Sequence, residues 1–280
     1  MKNNDISIIS ARLAELYRES EYAVGVSDFL SPGEIVSSYR ELTARIGSGV
    51  SGCFFWGGCR GAERCSAIFL PEWYMPQGAP EHRMPLDAER SEFFAQYLSR
   101  FSELMEEIPI KAIKIKGSGF RVLTHRDFMG SILSLGVSRG VIGDIYVRSE
   151  SEAIVMVQAR IAEYICSELK KIGRDGVKCE ICPLDPMFIM EREFDESVAL
   201  MSSLRLDCAV KALTGMSRED AADAVRSGLA ELSYSVTTDV SADVEAGDVL
   251  SVRGYGKYII GETVGKSSSG RLKVKIKKYV

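Results

Sequence analysis

Between residues 110 and 182 strand-like and helix-like runs follow one another in a fixed order, and that order narrows the fold more than any other feature of the chain. Strands are predicted at 110–116, 141–147, 153–158 and 176–182, and helices at 125–135, closed by Gly136, and at about 159–172, closed by Gly173. The resulting β-α-β-β-α-β order is that of a ferredoxin-like sheet with its helices on one face. Many RNA-binding modules share the layout, as do enzymes and metal-binding domains, so it predicts architecture and leaves the chemistry open.

The flanking segments follow other rules. Ile6, Ile9, Leu13 and Leu16 recur at the three-and-four spacing of one helical face over 6–20. Ser31-Pro32-Gly33-Glu34 reads as a cap, a first-turn proline and an N3 glutamate, opening a helix through about Ile46. Strands are predicted at 53–56 and 66–70, and Pro71, Pro76, Pro80 and Pro85 with Gly78 form an expected linker. After Pro183 and Pro186, a helix carrying Leu206, Val210 and Leu213 stops at Gly215, and Ser217 caps a second helix that ends at Gly228. Short alternating strands follow, with turns at Ala246-Gly247-Asp248 and Arg253-Gly254-Tyr255-Gly256. The fold expected is α+β in three domains: an N-terminal α/β unit (1–80), a ferredoxin-like middle domain (81–185), and a helix-pair domain with a small sheet and a basic terminal strand (195–280).

A chain of 280 residues, 46% hydrophobic and 26% charged, holds two or three compact modules. No apolar run approaches the roughly 20 residues of a membrane helix, and the N-terminus lacks the pattern of a secretory signal, so a cytoplasmic location is expected. Seven scattered cysteines then predict reduced thiols. Cys179 and Cys182 form a CxxC pair, but no second pair completes a zinc site and Pro183 follows where a redox motif would open a helix. Neither metal nor cofactor is expected. The net charge of −4 is unevenly placed: residues 195–250 hold eleven acids against four bases, and 251–280 hold eight bases against Glu262 alone. Attraction to a polyanion depends on local potential rather than on the total.

Arg205-Leu206-Asp207, Ser217-Arg218, Ala221, Gly228 and Gly247-Asp248, in that order and spacing, resemble the RNA-binding domain named after small-subunit ribosomal protein four. Two short helices joined by a tight turn would bring Arg205 and Arg218 together, where guanidinium forks suit phosphate oxygens. Ser217 would add a donor at a helix N-terminus already suited to anions. The plainer alternative makes Arg205 and Asp207 a surface pair. Leu229, Glu231 and Ser233 stand where that domain commonly shows basic residues and an asparagine. The tail Arg271-Leu272-Lys273-Val274-Lys275-Ile276-Lys277 places a charge at every second residue, so one strand face would be cationic. Its alternative is an edge strand protected from aggregation by lysines.

The resemblance extends along the chain. Thr124-His125-Arg126-Asp127-Phe128-Met129-Gly130-Ser131-Ile132-Leu133, Leu135-Gly136-Val137 and Ile142-Gly143-Asp144-Ile145 look like the central domain of the YlmH family. Phe54-Phe55-Trp56-Gly57-Gly58 with Gly61-Ala62-Glu63-Arg64 resembles its N-terminal domain, and Ser251-Val252-Arg253-Gly254-Tyr255-Gly256-Lys257 matches its RNA-binding domain. The family consists of small bacterial proteins often encoded near cell-division genes. The resemblance implies a non-catalytic RNA-binding factor that associates with the large ribosomal subunit, contacts rRNA and tRNA, and acts in rescue of stalled translation.

Three catalytic look-alikes fail. His125-Arg126-Asp127 spells the start of a kinase catalytic loop, but Ile132 stands where that loop needs asparagine. Gly47-Ser48-Gly49-Val50-Ser51-Gly52 fits GxGxxG yet leads from a helix into a strand, the reverse of a dinucleotide site. Arg205-Leu206-Asp207 echoes the aspartate motif of pseudouridine synthases, with no second copy to do chemistry. His82 reads as a loop residue. The residues expected to touch RNA are Arg205, Ser217, Arg218, Arg226, Arg253, Lys257, Lys273, Lys275 and Arg126, with neither a small-molecule substrate nor a membrane as partner. An RNA-modifying enzyme and a cell-division scaffold are the alternatives.

Overall fold

The computed structural model describes residues 3–47, 50, 52–80, 86, 88–190 and 192–279. The chain divides into two compact units, Met1–Met190 and Glu191–Val280. His82 and half of the GxGxxG segment, together with Pro85, lie outside the described residues.

The first unit opens with α1 (Asn3–Glu19), β1 (Gly25–Leu30) and α2 (Pro32–Ile46), followed by β2 (Cys53–Trp56) and β3 (Cys65–Phe69). The box expected at Ser31 is present: the Glu34 carboxylate accepts from the Ser31 backbone N–H at 2.6 Å and hydroxyl at 2.7 Å, satisfying donors that a helix start leaves bare. The antiparallel sheet runs β1-β3-β2. Its strand β1 was not expected, because its apolar positions follow no unbroken alternation. The proline-rich stretch carries one short 3₁₀ turn, Glu72–Tyr74, and leads into α3 (Ala88–Leu98) and α4 (Ser102–Glu107), which the sequence reading also lacked.

The remainder of this unit is β4 (Ile110–Gly117), α5 (His125–Leu133), β5 (Ile142–Ser149), β6 (Glu152–Gln158), α6 (Ala159–Glu168), β7 (Lys171–Ile172) and β8 (Asp175–Cys182), so the expected β-α-β-β-α-β order is observed. Its antiparallel sheet runs β5-β6-β4-β8-β7, with Ile113, Ile115, Val155, Val157, Phe128 and Ile165 buried between sheet and helices. One detail differs: α6 ends before Gly173, whose positive φ of 60° instead turns the β7–β8 hairpin.

On either side of the boundary expected near residue 80, the two sheets of this unit share a core. Phe54 stacks on Phe94 of α3 at 4.3 Å, and Phe29, Trp56 and Ile68 pack in the same cluster as Leu104, Ile110, Ala112 and Met156. Polar contacts join them as well. Asp144 of β5 accepts from the backbone N–H of Glu63 at 2.6 Å, and the buried Gln158 amide donates to the Ser27 carbonyl and the Ser66 hydroxyl.

The second unit is built from β9 (Phe194–Met201), α7 (Leu206–Thr214), α8 (Arg218–Arg226), β10 (Ala230–Leu232), β11 (Ser235–Val236), β12 (Val249–Val252), β13 (Gly256–Lys266) and β14 (Leu272–Tyr279). Its antiparallel sheet runs β11-β10-β12-β13-β14-β9. The helix pair lies on one face, where Leu206, Val210, Ala221 and Val225 meet Leu250, Tyr258, Ile260, Val274 and Ile276. Gly215 closes α7 with φ 76°, the left-handed conformation that favours glycine. The terminal strand β14 is interior, between β13 and β9, which overturns the edge-strand alternative.

Candidate nucleic-acid interface

The two helices bring Arg205 and Arg218 to one carboxylate. Arg205 flanks the start of α7 and Arg218 opens α8, and the turn at Gly215 folds these two helix starts onto the same side. Arg205 forks onto Asp207, Nε to Oδ1 at 3.1 Å and an Nη to Oδ2 at 3.4 Å, while Arg218 Nε stands 3.8 Å from Oδ2. Asp207 is buried, its side chain 5% exposed, but the arginine side chains are 40% and 69% exposed. Burial alone would push the Asp207 carboxyl up; the hydrogen bond and charge of Arg205, with help from Cys208, outweigh it and hold the group below the ordinary carboxylate range. The arrangement is a buried anchor that positions two solvent-facing guanidiniums, so the Arg205–Asp207 pair and an anion-ready surface coexist.

The neighbours temper this surface. The Ser217 hydroxyl accepts from the Asp220 N–H at 3.1 Å and donates to the Asp220 carboxylate at 2.7 Å, so its proton is engaged within the cap. Arg226 is paired with Asp223 at 2.7 Å, one helical turn back, and Glu219, Asp220 and Asp223 all lie exposed along α8. The positive end of the helix pair is therefore its Arg205–Arg218 corner.

The remaining expected contacts in this unit fall elsewhere. Strand pairing puts Lys273, Lys275, Lys277 and Tyr279 on the sheet face opposite the helices, beside Phe194, Glu196, Val198 and Leu200 of β9. Lys277 is paired with Glu196 at 2.9 Å, whereas Lys275 and Lys273 stand opposite Val198 and Leu200. Lys257 reaches the same face, its ammonium 4.4 Å from the Tyr279 ring centre and 5.0 Å from that of Tyr234. Arg253 sits exposed in the β12–β13 turn. One surface thus cannot join Arg205 and Arg218 to Lys257, Lys273 and Lys275, because the sheet separates them. The sequence shows the alternation of the tail but nothing of which face the helices would cover.

In the first unit Arg126 is exposed in the first turn of α5, whose Thr124 cap and Asp127 form a box. Hydrogen bonds from the Thr124 backbone and hydroxyl lower the Asp127 carboxyl from its ordinary range. Arg126 lies beside Asp127, which Arg121 meets at 3.3 Å, while Lys116 and Lys178 are held directly opposite each other by the β4–β8 pairing, with Glu152 opposite Lys116 on β6. Like charges so placed repel, a cost that binding an anion would remove. Sequence reasoning missed this grouping, since Lys178 is 62 positions from Lys116 and only the register unites them.

None of the seven cysteines forms a disulfide, and burial raises the Cys179 thiol to about 11, far from a reactive thiolate. Among the described residues no group of three or more His, Cys, Asp or Glu side chains is placed to hold a metal, and no helix is long and apolar enough to cross a membrane.

Exposed guanidiniums over a buried anchor and a β-α-β-β-α-β series define the class: an α+β protein of two compact units with exposed cationic patches. A family model described as "Putative RNA-binding domain in YlmH" matches residues 105–185, the middle domain. Ribosome-associated protein quality control protein P2 of Bacillus subtilis (strain 168) is 28% identical over 256 residues, which cover 91% of this chain and 88% of that protein. Among solved structures, the cell division protein YlmH from Streptococcus pneumoniae aligns at 20% identity with a TM-score of 0.43, over 65% of this chain and 93% of that one. The resemblance to the YlmH family read from the sequence motifs is borne out.

Proposed function

We propose that this protein is a non-catalytic RNA-binding factor of the large ribosomal subunit, contacting rRNA and tRNA in the quality control of stalled translation. The observation that carries the reading is the pair of exposed guanidiniums, Arg205 and Arg218, oriented by one buried carboxylate. Prepositioned forks of this kind suit phosphates on a folded polynucleotide, since the ordering cost is met within the protein. Support comes from the RNA-binding family model over 105–185 and from the ribosome-associated relative, which spans nearly the whole chain. In this reading Arg205 and Arg218 hold one RNA segment, with Ser217 and Arg226 at its margin. Arg126 contributes from the middle domain, while Arg253, Lys257, Lys273 and Lys275 serve a second phosphate track on the far sheet face. Co-sedimentation with separated ribosomal subunits across a salt series, followed by crosslink mapping, tests it. Salt-sensitive pelleting with the large subunit and crosslinks to rRNA and tRNA are expected; pelleting with neither subunit, or with the small one alone, refutes it.

A further inference from the structure

We infer that Phe120 stacks on an unpaired base of the bound RNA, an assignment that rests on the RNA-binding reading above. Phe120 is 93% exposed, the most exposed of the large apolar side chains among the described residues, and Val122 two positions on is 56% exposed. Singly exposed apolar residues are common; the support beneath this one is not. The loop between β4 and α5 is fastened at both ends. The Gly117 and Leu123 N–H groups each donate at 2.7 Å to the β5–β6 turn, at Ser151 and Glu150, and Leu123 is buried in the core. The Ser118 hydroxyl donates to the buried Asp175 and accepts from the Phe120 N–H at 3.2 Å. Gly119, at φ 82°, makes the turn that lifts Phe120 outward. The ring therefore stands on a braced pedestal instead of a loose tip.

The surroundings choose the partner. Arg121 and Arg126 flank the loop, Gly173 of the β7–β8 hairpin lies against the Arg121 guanidinium, and Arg174 is exposed next to it in the chain. Acidic groups close at hand are Asp127, engaged by the helix cap and Arg121, Asp175, which is buried, the exposed Glu150 of the β5–β6 turn, and Glu152, which is paired with Lys114 and Arg148. Other exposed aromatics have different company: Trp73 lies between Glu72 and Tyr74, whose hydroxyl is bonded to Glu107, and Tyr22 follows Glu21. Two apolar side chains beside Arg121 and Arg126 offer too little area for a stable protein interface. They fit a nucleotide, whose base meets an aromatic face while its phosphate meets arginine. A base within a duplex is already stacked, so the ligand must be a loop, bulge or single strand.

The test uses the full chain and a fluorescein-labelled oligouridylate of about a dozen nucleotides, with bulk tRNA as second probe. Phe120→Ala should weaken oligouridylate binding about 5- to 140-fold, the equivalent of about 1–3 kcal/mol for one stacked base, without changing the slope of log affinity against log salt. Arg126→Gln should instead lower that slope by about 0.7. Phe120→Trp should restore affinity, with its emission quenched on titration. Wild-type affinity in Phe120→Ala, a loss accompanied by a fall in slope, or an unquenched tryptophan would overturn the assignment. If Arg205→Ala with Arg218→Ala weakens tRNA binding while Phe120→Ala changes nothing, stacking alone fails; if the wild-type protein binds neither probe, the RNA-binding reading fails with it.

Discussion

Replacing Arg205 and Arg218 together by alanine removes two positive charges from one corner of the second unit, and the consequence can be sized. Both side chains face solvent, at 40% and 69% exposure, so each can meet a phosphate without moving the fold. A phosphate contact contributes about 0.9 to the slope of log affinity against log salt on a duplex, so losing two lowers the slope by about 1.8. Over a tenfold rise in salt the variant would then lose about 60-fold less affinity than the wild type. Fluorescence anisotropy of labelled tRNA across a sodium chloride series reads this directly. The substitution also strands Asp207, leaving the Cys208 N–H at 3.0 Å as a remaining donor, at a cost of about 1–3 kcal/mol in stability. Titrations therefore belong well below the variant's melting temperature. Asp207→Asn supplies the opposite control, because it frees both guanidiniums from their competing anion and should leave the slope undiminished. A double alanine variant that folds and keeps the wild-type slope would refute the assignment of these arginines to phosphates.

Further outcomes follow from the same structure. Because the folded Asp207 carboxyl is held below its ordinary range, its ionised form contributes stability above the unfolded value of about 3.9 and that contribution is lost as pH falls through the lower folded value. The stability gap between wild type and Asp207→Asn, followed by denaturant unfolding, should therefore be full at neutral pH and close below about pH 4; a gap that widens in acid contradicts the sign. Gly143→Ala would place a methyl 2.9 Å from the Phe29 ring and 3.0 Å from the Met156 Cβ, where the two sheets of the first unit meet, and should cost about 1–3 kcal/mol in thermal unfolding. Ser217→Ala removes the α8 cap and should cost about 1 kcal/mol, with tRNA affinity unchanged if the hydroxyl serves its cap rather than a phosphate. Incubation with bulk tRNA and rRNA should yield no new modified nucleoside by mass spectrometry; a new one would favour the enzyme alternative.

Much of this protein was legible residue by residue. The capping residues Ser31 and Ser217 begin the helices they mark, and Gly215 ends one, because a cap satisfies backbone groups within three or four positions. The alternation in 271–277 set Val274 and Ile276 inward and the lysines outward for the same local reason. The unread elements were those whose existence depends on distant partners. Strand β9, with three of its eight residues polar or charged at Asp195-Glu196-Ser197, carries little strand signal; it forms because β14 offers it a complete ladder, with Lys277 facing Glu196. The helices α3 and α4 likewise persist by packing in the cluster that holds Phe54 and Ile68, both far before them in the chain.

The amino-acid order by itself determined the β-α-β-β-α-β series, the helix pair and the reserve of positive charge in the last thirty residues, since each depends on spacing within a few positions. Tertiary structure decided which charges meet. It drew Arg205 and Arg218 to one buried carboxylate, sent Lys273 and Lys275 to the opposite face, set Lys116 against Lys178, and left Phe120 standing in solvent. The physical reason is range: backbone capping and periodicity act over a turn or two of chain, while electrostatic and packing partners are chosen by register and burial between segments that only folding brings together.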